Sequence, residues 1–124
     1  MLTRQKIPVV IFTLMIFVAL SSAHPPSDIS AEYDTLEQKI KIFVKHNVRD
    51  VNKHFVAKLE LHSKNNKKVE QSCVKQINNE YQEYLYKVID LKIGDTLNIK
   101  ADCNINGNKR ATFVLEPGTL KSPQ

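Results

Sequence analysis

The stretch from Leu97 to Glu116, LNIKADCNINGNKRATFVLE, decides the fold of this chain. In each half, apolar side chains occupy every second position, which is the period of a strand with one buried face. These positions are Leu97, Ile99, Ala101, Cys103 and Ile105, then Ala111, Phe113 and Leu115. Between the halves, Asn106-Gly107 is a strong signal for a two-residue hairpin turn, because both central residues of a type I′ turn need a positive φ. The pattern therefore predicts a hairpin that pairs residues 97–105 with 108–116.

The same two-residue period recurs upstream of this hairpin, at Ile40, Ile42 and Val44 and again at Phe55, Ala57, Leu59 and Leu61, and short polar connections separate these apolar runs. Roughly seven short strands with turns every 8–12 residues, and no amphipathic helix, are typical of an antiparallel β-sandwich. We therefore predict an all-β chain with a single antiparallel β-sandwich of immunoglobulin-like architecture over residues 37–117. Residues 24–36 lack an apolar period and are predicted to form a flexible N-terminal arm. Residues 118–124 are expected to be a C-terminal tail.

Residues 1–23 have the composition of a signal peptide. Arg4 and Lys6 provide a basic start, residues 7–20 are almost entirely apolar, and small residues follow up to Ala23. About fourteen apolar residues is short for a bilayer span, which needs roughly 20. We expect cleavage after Ala23, a secreted extracellular protein and no transmembrane segment after signal removal. An uncleaved signal anchor is the alternative.

Charge and motifs argue against several classes of function. Loss of Arg4 and Lys6 with the signal peptide lowers the formal net charge from +5 to +3, and no aromatic residues interleave with the basic ones. Nucleic acid is therefore not an expected partner. Neither G-x-S-x-G nor H-E-x-x-H occurs, and about 100 residues of sandwich leave little room for a substrate cleft. We expect a monomer that is not an enzyme and that needs no cofactor.

The two cysteines, Cys73 and Cys103, allow one intramolecular pairing in an oxidising compartment. A disulfide closing about 30 residues would contribute on the order of 3–4 kcal/mol to the free energy of unfolding. The sequence therefore predicts a Cys73–Cys103 disulfide. An intermolecular bridge or two free thiols are the alternatives.

The four histidines are candidate metal ligands. Cleavage after Ala23 would make His24 the N-terminal residue, whose amine and ring together suit copper(II) if His46, His54 or His62 adds a further nitrogen. However, the arm carrying His24 is predicted to be flexible. His54 and His62 lie eight residues apart on one strand, roughly 27 Å, so they cannot share an ion. We therefore expect ordinary surface histidines and no metal site.

The region from Tyr84 to Glu116 resembles the N-terminal domain of insect β-1,3-glucan recognition proteins, also called Gram-negative-bacteria-binding proteins. The motifs that carry the resemblance are a Leu-x-Ile-Gly-Asp turn, a long strand, an Asn-Gly turn and a returning strand with an arginine. Here they are Leu91, Ile93, Gly94, Asp95, Asn106, Gly107 and Arg110, and the Ile-x-Val-Phe opening strand of the family is similar to Ile40-Lys41-Ile42-Phe43. The family's aromatic positions after Gly-Asp are replaced by Asn98, Lys100 and Asp102.

The resemblance implies an immunoglobulin-like domain that binds β-1,3-glucan through arginine and acidic side chains. The period places Lys100, Asp102, Asn104 and Arg110 on the outward face of one hairpin, and these are the predicted ligand-binding residues. The expected function is a secreted, non-enzymatic recognition module for microbial β-1,3-glucan or a related surface polysaccharide. A solvated sheet face is the simpler explanation of the same residues. The alternative function is a venom, salivary or hemolymph effector that acts on a protein or a membrane.

Overall fold

The structure, a computed structural model, describes residues 24–63, 68–87 and 91–120. The predicted signal peptide lies outside these residues. Eight strands follow one another along the described chain. They are β1 (Asp28–Asp34), β2 (Lys39–Lys45), β3 (Val56–Ser63), β4 (Lys68–Ser72), β5 (Tyr81–Lys87), β6 (Thr96–Cys103), β7 (Asn108–Val114) and β8 (Gly118–Leu120). No helix that could cross a bilayer occurs within the described ranges.

The strands form two four-stranded antiparallel sheets, with the orders β5-β2-β1-β8 and β4-β3-β6-β7. The inward side chains of both sheets join one buried apolar cluster, as in a β-sandwich. Among its most buried members are Ile40, Ile42 and Val44 of the first sheet, and Leu59, Leu97 and Ile99 of the second. The two-residue period in the sequence therefore predicted the all-β fold and the buried positions of β2 and β6 correctly.

The prediction of a flexible arm over residues 24–36 is wrong, because β1 occupies most of that stretch. Ile29, Ala31 and Tyr33 point into the core and alternate with exposed polar residues. The alternation escapes a composition-based analysis because one of the three inward residues is an alanine and the outward ones are serine and acids. The sandwich also extends beyond residue 117, since β8 pairs with β1 where a tail was expected.

The predicted disulfide is absent: Cys73 and Cys103 are both free. Cys103 pairs with Val56 across one edge of β3, whereas the amide of Cys73 donates to the carbonyl of Ala57 across the other edge. Two interstrand spacings, about 9.5 Å, therefore separate the two cysteines. A disulfide needs Cα atoms within about 7 Å. The strand between the two cysteines prevents the bond.

The hairpin of β6 and β7 forms, but its register differs from the predicted one. Asp102 pairs with Asn108, and the amide of Cys103 donates to the carbonyl of Gly107. The connection is therefore longer than two residues. Only Gly107, at φ +78°, has a positive φ in this connection, so Asn106-Gly107 does not form the type I′ turn.

Candidate metal centre

Four side chains that can ligate metals meet at one end of the two sheets. In an antiparallel sheet the start of one strand lies beside the end of its neighbour. His24 precedes β1 and His46 follows β2, so this pair meets at one end of the first sheet. His54 precedes β3 and Cys103 ends β6, so the second pair meets in the other sheet. Stacking of the sheets then brings the two pairs together.

The three imidazole rings pack edge to face. The ring centroids lie 4.6 Å apart for His46 and His54, 5.1 Å for His24 and His46, and 5.3 Å for His24 and His54. Nε2 of His54 lies 3.1 Å from Sγ of Cys103. One ligand atom from each of His46, His54 and Cys103 can be chosen so that all three lie within 4.8 Å of one another. We call these three residues, together with His24, the histidine–cysteine cluster.

His46 is completely buried, so the expectation of four surface histidines is wrong. Its ring Nδ1 lies 2.9 Å from Oε1 of Gln76, and its Nε2 lies 3.2 Å from the carbonyl oxygen of His24. An imidazole without solvent must satisfy its nitrogens within the protein. His46 is therefore fixed between the loop that follows β4 and the segment that precedes β1.

His54 has a pKa below its ordinary value. Burial is the main cause because it disfavours the charged ring, and the nearby rings of His46 and His24 lower the pKa further. A hydrogen bond with the backbone of His24 acts in the opposite direction. The environment therefore favours neutral His54, which is the form that binds a metal.

Cys103 and His54 are held together by Asn104. Oδ1 of Asn104 accepts from the amide of Phe55 at 2.9 Å, and its Nδ2 donates to the carbonyl of Lys53 at 2.9 Å. Asn104 thus binds the backbone on both sides of His54. These bonds turn its side chain toward the backbone around His54 and away from the outward hairpin face on which it was predicted to lie. Ligand binding by Asn104 stays a prediction. The side chain turns back because the strand alternation of β6 ends at Cys103.

The segment that begins at His24 lies against the connection between β6 and β7. Nε2 of His24 lies 2.8 Å from the carbonyl oxygen of Asn47, and its Nδ1 lies 3.0 Å from that of Pro25. A Cβ added to Gly107 would lie 2.9 Å from Cβ of Pro25. The absence of a side chain at Gly107 therefore leaves the space in which Pro25 packs.

The other predicted ligand-binding residues lie together, away from the cluster. Lys100 pairs with Arg110 across the hairpin, and its Nζ lies 3.5 Å from the carboxylate of Asp102. Paired residues and alternate residues share a face of the sheet, so Lys100, Asp102 and Arg110 lie on the outward face as predicted. A cavity of about 380 Å³ covers part of this face and is lined by Lys100 and Arg110, among others.

The charges on this outward face largely satisfy one another. Glu60 bonds to Lys58 and His62, and the nearby Lys68 adds a further positive charge. Together these partners lower the Glu60 pKa to about 2. His62 therefore pairs with a carboxylate in the outward row and does not join the histidine–cysteine cluster. The sheet places it far along β3 from His54, as the strand spacing predicted.

The sequence does not predict the cluster, because it favours a disulfide for Cys103 and a flexible arm for His24. Part of the signal is present, since His46 follows one predicted strand and His54 precedes the next. Comparisons of the chain with protein-family models, with curated proteins and with solved structures found no match.

Proposed function

We propose that this protein binds a transition-metal ion through His46, His54 and Cys103. The observation that carries the proposal is that two imidazoles and one thiol, contributed by both sheets, lie with ligand atoms within 4.8 Å of one another. Ligand atoms that each lie 2.0–2.3 Å from one metal ion must also lie within such a distance of one another. The low pKa of His54 supports the proposal, because a neutral ring need not lose a proton before it binds.

The donor atoms limit the kind of metal. Imidazole nitrogen suits zinc, copper, iron and nickel, and a thiolate adds a preference for softer ions. Calcium and magnesium prefer oxygen ligands and are therefore not proposed. His24 is a further candidate donor because its ring lies about 5 Å from both other rings.

Two histidines and one cysteine, with a backbone carbonyl near them, are also the donor set of copper sites that transfer electrons. The carbonyl of His24 lies in such a position, 3.2 Å from Nε2 of His46. With the predicted signal peptide, the proposed function is that of an extracellular metal-binding protein. Its bound ion is zinc, copper or iron.

Titration of the metal-free protein with cobalt(II), zinc(II), copper(II) and anaerobic iron(II) tests the proposal. We expect one ion per chain and, with cobalt or copper, a thiolate-to-metal charge-transfer absorption. Cys103→Ser should abolish that absorption. Cys73→Ser is the matched control and should retain it. If no ion binds stoichiometrically, or if both variants behave alike, the proposal is wrong.

We also propose, as a second candidate function, that the outward face of β3, β6 and β7 binds a polysaccharide. It is favoured by the side-by-side placement of Lys100, Asp102 and Arg110 and by the cavity beside them. The resemblance to β-1,3-glucan recognition domains points to the same ligand and to an immunoglobulin-like arrangement of the strands. The self-paired charges of this face and its lack of aromatic side chains support this function less than the cluster supports metal binding.

Retention on insoluble β-1,3-glucan (curdlan) tests the second candidate. Arg110→Ala should lower retention. Lys109→Ala removes the same charge from the adjacent position, on the opposite face of β7, and should leave retention unchanged. If wild type is not retained, glucan binding is excluded. Expression confined to a venom or salivary gland would then favour an effector acting on a protein or membrane.

A further inference from the structure

Gln76 is a buried side chain whose polar atoms all bind within the protein. It lies in the connection between β4 and β5 and is 1% exposed. Its Nε2 donates to the carbonyl of His46 at 2.7 Å and to that of Asn78 at 2.9 Å. Its Oε1 accepts from the amide of Val56 at 3.3 Å and faces Nδ1 of His46 at 2.9 Å.

These contacts fix which way the amide of Gln76 points. Exchange of its oxygen and nitrogen would place the oxygen against the carbonyls of His46 and Asn78, and the NH₂ group against the N–H of Val56. All three contacts would then join like groups, donor to donor or acceptor to acceptor. The backbone therefore settles that Oε1 faces the ring of His46.

A lone pair on Nδ1 would repel the lone pairs of an oxygen 2.9 Å away, so the Nδ1 of His46 carries a proton. A neutral imidazole carries only one proton, which leaves the lone pair on Nε2. Nε2 faces the carbonyl oxygen of His24 at 3.2 Å, and the ring as a whole packs against the ring of His54 at 4.6 Å between centroids. A lone pair against a carbonyl oxygen is unfavourable. A proton on Nε2 would instead place a buried charge next to two more imidazoles. A metal cation at Nε2 removes both difficulties.

We propose that Gln76 is a positioning residue of the metal centre, which holds His46 in the Nδ1–H tautomer and so leaves the Nε2 lone pair available to the metal ion. This inference rests on the proposed metal-binding function for its purpose, but the tautomer is a property of the metal-free protein. Groups that accept a hydrogen bond from the other ring nitrogen of a metal-binding histidine act in this way in general, because they orient the ring and raise its basicity.

Nitrogen-15 NMR of the metal-free wild-type protein, recorded at a pH high enough for the ring to be neutral, tests the tautomer directly. We expect the Nδ1 of His46 to be protonated and its Nε2 to be unprotonated. A neutral His46 ring with its proton on Nε2 would overturn the inference. This measurement needs no variant, so failure of a variant to fold does not affect it.

Gln76→Leu tests the consequence for metal binding. We expect the affinity for zinc(II) or cobalt(II) to fall roughly 10- to 100-fold, the usual effect of losing a hydrogen-bond partner of a metal-binding histidine. Gln82→Leu is the matched control. Gln82 is also buried, at 5% exposure, and its side chain bonds to Ile77 and Lys75 in the same connection, whereas the ring of His46 bonds to Gln76.

The results separate the two proposals. Equal losses of affinity in Gln76→Leu and Gln82→Leu would show a general structural effect and overturn the positioning role. A loss confined to Gln76→Leu, with the Nδ1–H tautomer also lost, would support it. Absence of metal binding by wild type would contradict the proposed function, while the tautomer of His46 would still confirm or refute the action of Gln76.

Discussion

The sulfur of Cys103 lies close to a histidine ring and to a backbone amide. It is 3.1 Å from Nε2 of His54, and the amide of Ile105 lies 3.5 Å from it and can donate to it. Cys73 instead packs against the apolar core near Tyr84. The two free cysteines therefore lie in different surroundings.

Thiol alkylation should distinguish them. Bound zinc should slow alkylation of Cys103 strongly, because a coordinated sulfur is less available, and should leave the rate at Cys73 unchanged. Peptide mass spectrometry after timed alkylation measures both rates in one sample, so Cys73 is an internal control. Equal protection of both cysteines would contradict coordination by Cys103 alone. A disulfide-linked peptide would contradict the separation of the two cysteines across β3.

His54 should make the free energy of unfolding depend on pH. Its pKa is lowered in the folded protein, so below pH 6.5 the unfolded chain binds more protons at this residue than the folded one. The stability contributed by His54 is therefore present above pH 6.5 and is lost as the pH falls through the folded-state value. Urea unfolding from pH 7.5 to 5 should show a loss that is smaller in His54→Gln. The same slope in wild type and variant would contradict a lowered pKa.

At the scale of elements, the connection between β6 and β7 does more than reverse the chain. Asn104 binds both sides of His54, and Gly107 leaves room for Pro25. A two-residue turn would make neither contact. The longer connection is therefore explained by the segments it holds, which place His54 and His24 in the cluster.

Gly107→Ala tests this role. Gly107 has φ +78° and a neighbour at 2.9 Å, so a side chain there is both strained and crowded. We expect a loss of about 1–2 kcal/mol in the free energy of unfolding from the strain and a displaced Pro25. Gly94→Ala is the matched control, since Gly94 has φ +94° and open space around it. Only Gly107→Ala should weaken metal binding. Equal metal affinities in the two variants would exclude a contribution from the Pro25–Gly107 contact.

At the scale of the whole molecule, the cluster joins the two sheets. His46 directly follows a strand of the first sheet, whereas His54 lies just before a strand of the second sheet and Cys103 ends another. A shared ion would therefore link the layers of the sandwich. Unfolding would separate the ligands. Metal binding should therefore stabilise the whole fold and not only the loops around the site.

Thermal unfolding with and without zinc(II) measures this effect. At a free-ion concentration 100 times Kd, binding stabilises the fold by about 2.7 kcal/mol. For a domain of this size, the Tm should rise by roughly 10 °C or more. His46→Ala should lose the rise, and His62→Ala should keep it because His62 lies on the outward face with Glu60. A similar rise in both variants would place the ion elsewhere.

The amino-acid sequence by itself determined the class of fold and much of its core. Alternation is a local property, because a strand turns successive side chains to opposite faces whatever it packs against. For this reason Ile40, Ile42, Leu97 and Ile99 were identified as core positions without a structure. The placement of Lys100 and Arg110 on one outward face followed from the same period.

Only the tertiary structure decided the site. Antiparallel pairing accounts for the neighbours His24 with His46 and His54 with Cys103, but these pairs belong to different sheets. Which ends of two sheets meet depends on how their apolar faces stack, and the sequence period is the same for every stacking. The separation of Cys73 from Cys103 has the same origin, since strand order places β3 between them. Local patterns fix the direction of a side chain, whereas the order and stacking of the strands fix its neighbours.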